Sequence, residues 1–378
     1  MLAACALAWA ARAQAGVDLT PTLKVAAEER YDDDLVLRTE AGNNAGQLMT
    51  KLSPQAGIVV KDETTTITSW YAADFVVHHG SGNSSLDHRA AVNVKKLLTE
   101  RLGVDADMRL WRVTDPTSLP RLGMARTLSP ILYGIGEVSG HYRITERWTG
   151  RVGYKFEGAR IFEPGSTYGG YMHQPYAEAT YDLDRRSQLG ARYRAQYFAF
   201  GQDSADANAL LAEYRYRLTP VTTFQARAGA AYFRPHTDAG RPGTVPVVEL
   251  SLERNHEVLD LGVVVGHDLV GASGFTSALW ADFASFIGAY RVQPRVQLFW
   301  AASYYRNGRP PDVGIDPFGT DRAATGYAVG GGVEWKMTKV VSVQGAFDRI
   351  AQLGGNKDID EAALSRNIVS ARLIVTAF

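Results

Sequence analysis

Five arginines fall in three short stretches of the chain: Arg192 with Arg194, Arg215 with Arg217, and Arg227. In the first two stretches a single residue separates them, which puts both guanidinium groups on one face of an extended chain. Glu213 shares the phase of Arg215 and Arg217, and Glu249, Arg151 and Lys155 occupy the polar phase of other segments. Charges gathered on one wall can do either of two things. Cations can guide an anion along the wall, or they can pair with carboxylates on neighbouring strands and stiffen it. The spacing leaves both readings open.

No other grouping points to chemistry. Ser, His and acidic residues show no diagnostic hydrolase spacing, so neither an enzyme nor a cofactor is expected. His78 and His79 are adjacent, and adjacent strand residues point to opposite faces, which argues against a metal pair. Asp32, Asp33 and Asp34 read as part of a long solvated loop, with Ca²⁺ binding as the sharper alternative. Gly330, Gly331 and Gly332 sit in a strand pattern rather than between a strand and a helix, so they do not form a nucleotide loop.

Strands must position the arginines. Residues 188–197 place Leu189, Ala191, Tyr193, Ala195 and Tyr197 on one face and Gly190, Arg192, Arg194 and Gln196 on the other. Residues 151–156, 210–218 and 223–232 repeat this period of two. Connections alternate in length. Short ones are expected at 61–65, 98–103, 145–148, 182–185, 218–221, 254–257, 291–294 and 336–339. Longer ones are expected at 31–45, 78–85, 114–130, 163–170, 201–206, 235–244, 270–274, 307–322 and 354–364. This rhythm predicts an all-β fold, a transmembrane antiparallel up-and-down β-barrel of about eighteen strands, with sixteen as the alternative count.

In such a barrel the apolar phase faces lipid, because a charge there costs roughly 2–4 kcal/mol at the midplane. The polar lumen then collects Glu137, His141, Arg143, Arg151, Lys155, Glu157, Glu178, Arg192, Arg194, Glu213, Arg215, Arg217, Arg227, Glu249, Glu253, Asp260 and Asp282. The last strand is ambiguous. Ala371, Leu373, Val375 and Ala377 hold one phase, and Arg372, Ile374 and Phe378 hold the other.

Composition agrees. Mean hydropathy is −0.17, as expected if half of each strand faces lipid and half a polar lumen. The 18 Tyr and 7 Trp suit interfacial girdles. Net charge is zero, which excludes a broad attraction to nucleic acid. Cys5 is the single cysteine, so no disulfide forms within the chain. Residues 1–15 are apolar and end in small residues that fit the A-x-A cleavage rule. They read as a signal peptide, truncated at its start because the usual basic region is missing, ahead of one barrel domain over 16–378. The address is then the bacterial outer membrane. The expected partners are outer-membrane lipid, lipopolysaccharide and the barrel assembly machinery.

The opening Leu19-Thr20-Pro21-Thr22-Leu23-Lys24-Val25, followed by Glu28-Glu29-Arg30-Tyr31-Asp32-Asp33-Asp34-Leu35, resembles the first strand of the β-barrel porin type 2 family. Asp34 stands where that family usually has Asn. The resemblance implies an integral channel exporting an exopolysaccharide, with polysaccharide export partners in the periplasm. The alternatives are a general diffusion porin for small polar solutes and a structural or adhesive barrel with a plugged lumen.

Phe378, a terminal aromatic closing an alternating strand, also resembles the barrel assembly signal of outer-membrane proteins. Deleting Phe378 is expected to lower the membrane yield of folded, heat-modifiable protein. An unchanged yield removes that role.

Overall fold

The structure of the chain is a computed structural model in which residues 17–33, 46–80, 82–114, 130–162, 169–200, 203–236, 242–270, 279–308, 324–354 and 364–377 are described. The segment 1–15, Asp34 and Phe378 lie outside them. Eighteen strands are formed: β1 (Asp18–Asp32), β2 (Gln47–Lys61), β3 (Thr65–His78), β4 (Ser84–Leu97), β5 (Leu102–Val113), β6 (Ile131–Arg143), β7 (Trp148–Ile161), β8 (Gly169–Asp182) and β9 (Ser187–Phe200). The second half comprises β10 (Asp203–Thr219), β11 (Thr222–Pro235), β12 (Gly243–Arg254), β13 (Leu259–Val270), β14 (Leu279–Gln293), β15 (Val296–Gly308), β16 (Ala324–Lys336), β17 (Val341–Gly354) and β18 (Leu364–Ala377).

Each strand pairs antiparallel with its sequence neighbours, and β1 pairs with β18 from Leu23↔Ala377 to Asp32↔Ile368. The sheet therefore closes into an up-and-down barrel. Closure leaves no row of unpaired backbone groups at a sheet edge, the condition for a sheet to sit in hydrocarbon.

The connections at one end, where β1 begins and β18 ends, span two to four residues. Five of these eight turns use one device. Asp62, Thr99, Thr145, Asp184 or Thr338 accepts hydrogen bonds from the backbone N–H groups two and three residues on. A side-chain oxygen thus satisfies the turn backbone in place of a strand partner. The N–H groups of Thr64 and Thr65 hold the Asp62 carboxyl below the usual carboxylate range. Those of Arg186 and Ser187 do the same for Asp184.

Longer connections generally occupy the other end, with one correction. β9 ends at Phe200 and β10 begins at Asp203, so the expected long connection 201–206 is only two residues. Ser204 and Asp206 belong to a strand whose polar start hides the alternation.

The outer face is an apolar band. Leu23, Val25, Leu52, Val152, Leu210 and Val333 are exposed on it. Exposed Tyr142, Trp148, Tyr290 and Trp335 mark the short-turn end, and Tyr31, Tyr171, Tyr232 and Tyr327 the long-loop end. Along β16, Tyr327 and Trp335 are separated by about 26 Å of extended chain. At a strand tilt of about 35–45° this spans about 20 Å along the membrane normal, close to the roughly 25 Å apolar band flanked by aromatic girdles in outer-membrane barrels. The protein is a barrel of the bacterial outer membrane. In β18 the phase is settled: Leu373 and Val375 are exposed outside, while Ile374 and Arg366 are buried inside.

Asp32 corrects the reading of the first long loop. It is the last residue of β1, fully buried, and ion-paired with buried Arg366 of β18 and with Arg30 at 3.3 Å. Asp33 accepts from the Asn367 backbone at 2.6 Å, and Glu28 pairs with Arg372. Two acidic residues of the first strand, with Asp33 just beyond it, thus clamp the last one. The sequence did not reveal this because the partners lie 334 to 344 residues away.

Removing one partner of a buried ion pair leaves the other charge uncompensated, at a cost of about 3–5 kcal/mol. Arg366→Ala is therefore expected to lower the temperature at which the heat-modifiable gel band is lost. Arg372→Ala, at a more exposed pair, should lower it less. Equal midpoints for the two variants would show that the clamp does not hold the seam.

Candidate functional site: the charged inner wall

Period two sends alternate residues of β8–β12 inward, and register decides which of them meet. Glu178 lies opposite Arg192, Glu213 opposite Arg227, and Arg227 opposite Glu249. The result is a chain of ion pairs across five adjacent strands. Arg192 Nη2 donates to Glu178 Oε2 at 2.5 Å, and its Nε lies 3.3 Å from Glu213 Oε1. Arg227 Nε lies 2.9 Å from the same Glu213 oxygen, and its Nη1 donates to Glu249 Oε1 at 2.6 Å. Three carboxylates thus alternate with two guanidinium groups. The chain extends sideways: Arg192 lies 4.9 Å over the ring of Tyr176, whose hydroxyl donates to Glu137 at 2.5 Å.

Arg194 does not join this chain. It reaches over β10, β11 and β12 to Asp268 of β13, donating from Nη1 to Oδ2 at 2.8 Å and from Nη2 to Oδ1. A side-chain bridge over three strands narrows the lumen at that level. Asp268 was not singled out in the sequence, because its partner is 74 residues away.

Arg215 and Arg217 share the inward phase of Glu213 but are exposed near the short-turn end of β10. Among the described residues neither has a carboxylate within ion-pair distance. Lys155 lies 3.9 Å from Glu157, and Glu157 also accepts from buried Tyr133 at 3.0 Å. Arg151 shares Asp105 with His141, at 3.5 and 3.4 Å.

On the wall of β2–β4, buried Asp74 holds Lys51 at 3.0 Å and Arg89 at 2.7 Å. On β16, Gly330 leaves room for inward Asp348, since a Cβ there would lie 1.8 Å from the Asp348 carboxylate.

The inner positions of β10 summarise the axial order of this wall. From the long-loop end they read Ala205, Ala207, Ala209 and Leu211, then Glu213, then Arg215 and Arg217. The first four are buried in one apolar cluster with Met172, Phe198, Ala231, Phe233, Val245 and Val247. The expectation of a uniformly polar lumen is thereby corrected, since the long-loop part of this wall is apolar.

One expected inward residue differs. Asp282 faces outward and binds His267 Nδ1 at 2.6 Å. The run Leu279–Gln293 lacks clean alternation, and so its phase was misread. Asp260 keeps the inward phase of Asp268 and also serves a turn, accepting from the backbone of His256 at 3.1 Å.

No family model and no curated protein matches this chain. Among solved structures it is similar to Pseudomonas aeruginosa OccK2 (OpdF) in complex with glucuronate, at 10% identity and a TM-score of 0.48, covering 96% of this chain and 99% of that one. It is also similar to Pseudomonas aeruginosa OccK9 (OpdG), at 13% identity and a TM-score of 0.46, covering 95% and 99%. Acinetobacter baumannii OccAB4 is similar at 8% identity and a TM-score of 0.44, covering 94% and 98%.

Proposed function

We propose that this barrel is a transport channel for small polar solutes. The observation that carries the reading is the inner wall. It holds a compact ion-pair chain from Glu178 to Glu249, three carboxylates against two guanidinium groups, beside a lumen narrowed by the Arg194–Asp268 bridge. Paired charges present both donors and acceptors to a passing solute while adding little net field. The narrowing favours a small solute over a chain polymer, so the polysaccharide-export role implied by the sequence resemblance ranks behind this one. Net attraction falls to the unpaired cations Arg215 and Arg217 at the short-turn mouth, which would draw anions.

Planar-bilayer recordings test this. The parent protein is expected to conduct with a modest anion preference. The double variant Arg215→Gln with Arg217→Gln should shift the reversal potential toward cations. Glu213→Gln frees Arg192 and Arg227 from a shared carboxylate and should shift it toward anions. Both shifts should shrink as salt rises, because screening hides luminal charge. No conductance in the parent overturns the channel reading. Unchanged selectivity in the double variant removes Arg215 and Arg217 from it.

A further inference from the structure

One seam of the barrel is closed differently from the rest. β12 pairs with β11 along its whole length, from Gly243 to Arg254. β13 pairs with β14 along its whole length, from Leu259 to Val270. Between β12 and β13, however, pairing runs only from Arg254↔Leu261 to Val248↔His267. Toward the long loops, residues 243–247 have no partner in β13 among the described residues. Pro246, which has no N–H to donate, sits in this stretch. Proline alone does not open a seam. Around Pro54 the β2–β3 ladder resumes at Leu52↔Phe75, and around Pro175 the β8–β9 ladder resumes at His173↔Tyr197. Beside Pro246 it does not resume.

Side chains close this gap. Leu269 and Trp280 lie opposite one another, in the outward phase of His267 and Asp282. Yet they are 2% and 3% exposed and pack in one cluster with inward Val245, Val247 and Ala231. The top of the β13–β14 hairpin therefore lies against the inner apolar patch. Arg194 and Asp268 meet at the foot of the gap, and the buried Arg194 Nε has no hydrogen-bond partner among the described residues.

In hydrocarbon an unpaired ladder costs several kcal/mol per group. A ladder covered by apolar packing can part without breaking backbone hydrogen bonds. Parting here joins the apolar part of the lumen to the lipid on the long-loop side. An acyl chain fits the apolar patch, and an anionic head fits the spare Arg194 donor.

We propose that the β12–β13 seam is a lateral passage for a single-chain amphiphile with an anionic head, gated by Leu269 and Trp280. This inference does not depend on the channel reading, because its test does not use conductance. The full chain is prepared in nanodiscs with Cys5→Ala, Pro246→Cys and Leu269→Cys, and with Pro246→Val as a separate variant that restores the missing N–H. The probe is a diazirine-bearing dodecanoate, and labelled positions are mapped by mass spectrometry.

Inward residues Val245, Val247 and Leu211 should be labelled in the parent and in the reduced cysteine pair. Labelling should fall severalfold when the pair is oxidised and recover on reduction. It should also fall in Pro246→Val, with heat-modifiability of both variants retained. Three results would overturn the passage: labelling confined to outer-face residues, equal labelling in the oxidised and reduced forms, or loss of labelling only where heat-modifiability is also lost.

Discussion

The constraint on which everything else rests is that a sheet in hydrocarbon cannot leave its backbone groups unpaired. Closure of β1 on β18 removes the last edge, and the chain reinforces that join more heavily than the sheet hydrogen bonds alone would. Glu28, Asp32 and Asp33 all reach across to β18, and the Asp32–Arg366 pair is buried. The acidic run that ends the first strand thus reads as a clasp. It joins the two segments of the chain that are farthest apart in sequence, where local turn geometry gives no help with register.

Once the cylinder is closed, period two does the rest. One set of residues meets lipid and is apolar. The other meets the lumen and is free to be charged, provided the charges find partners. The inner wall meets that condition in part by using several carboxylates more than once. Glu213 serves Arg192 and Arg227, Asp74 serves Lys51 and Arg89, and Asp105 serves His141 and Arg151. A wall built in this way is stiff and nearly neutral. The unpaired Arg215 and Arg217 at its end therefore matter more than the number of arginines suggests. The apolar long-loop part of the same wall has no counterpart in a simple polar pore, and the β12–β13 ladder, which stops short of the long loops, lies next to it.

The sequence by itself determined most of the strands, an even number of about eighteen, the alternation of turn lengths and, for most strands, which phase faces lipid. These are local properties: a period of two within one strand and turn residues between two strands. It put Arg192, Arg194, Glu213, Arg215, Arg217 and Arg227 in the polar phase of their strands. It failed where the local pattern was weak, as at Asp282, or where a polar strand start resembled a loop, as at Ser204 and Asp206. The tertiary structure alone decided which charges pair, because pairing depends on the register between strands and on curvature around the barrel. Arg192 lies opposite Glu178, whereas Arg194, two residues on in the same phase, crosses three strands to Asp268. The Asp32–Arg366 clasp and the β12–β13 gap have the same origin. Each is a relation between segments that meet only after the sheet has closed, and no period within a single strand encodes it.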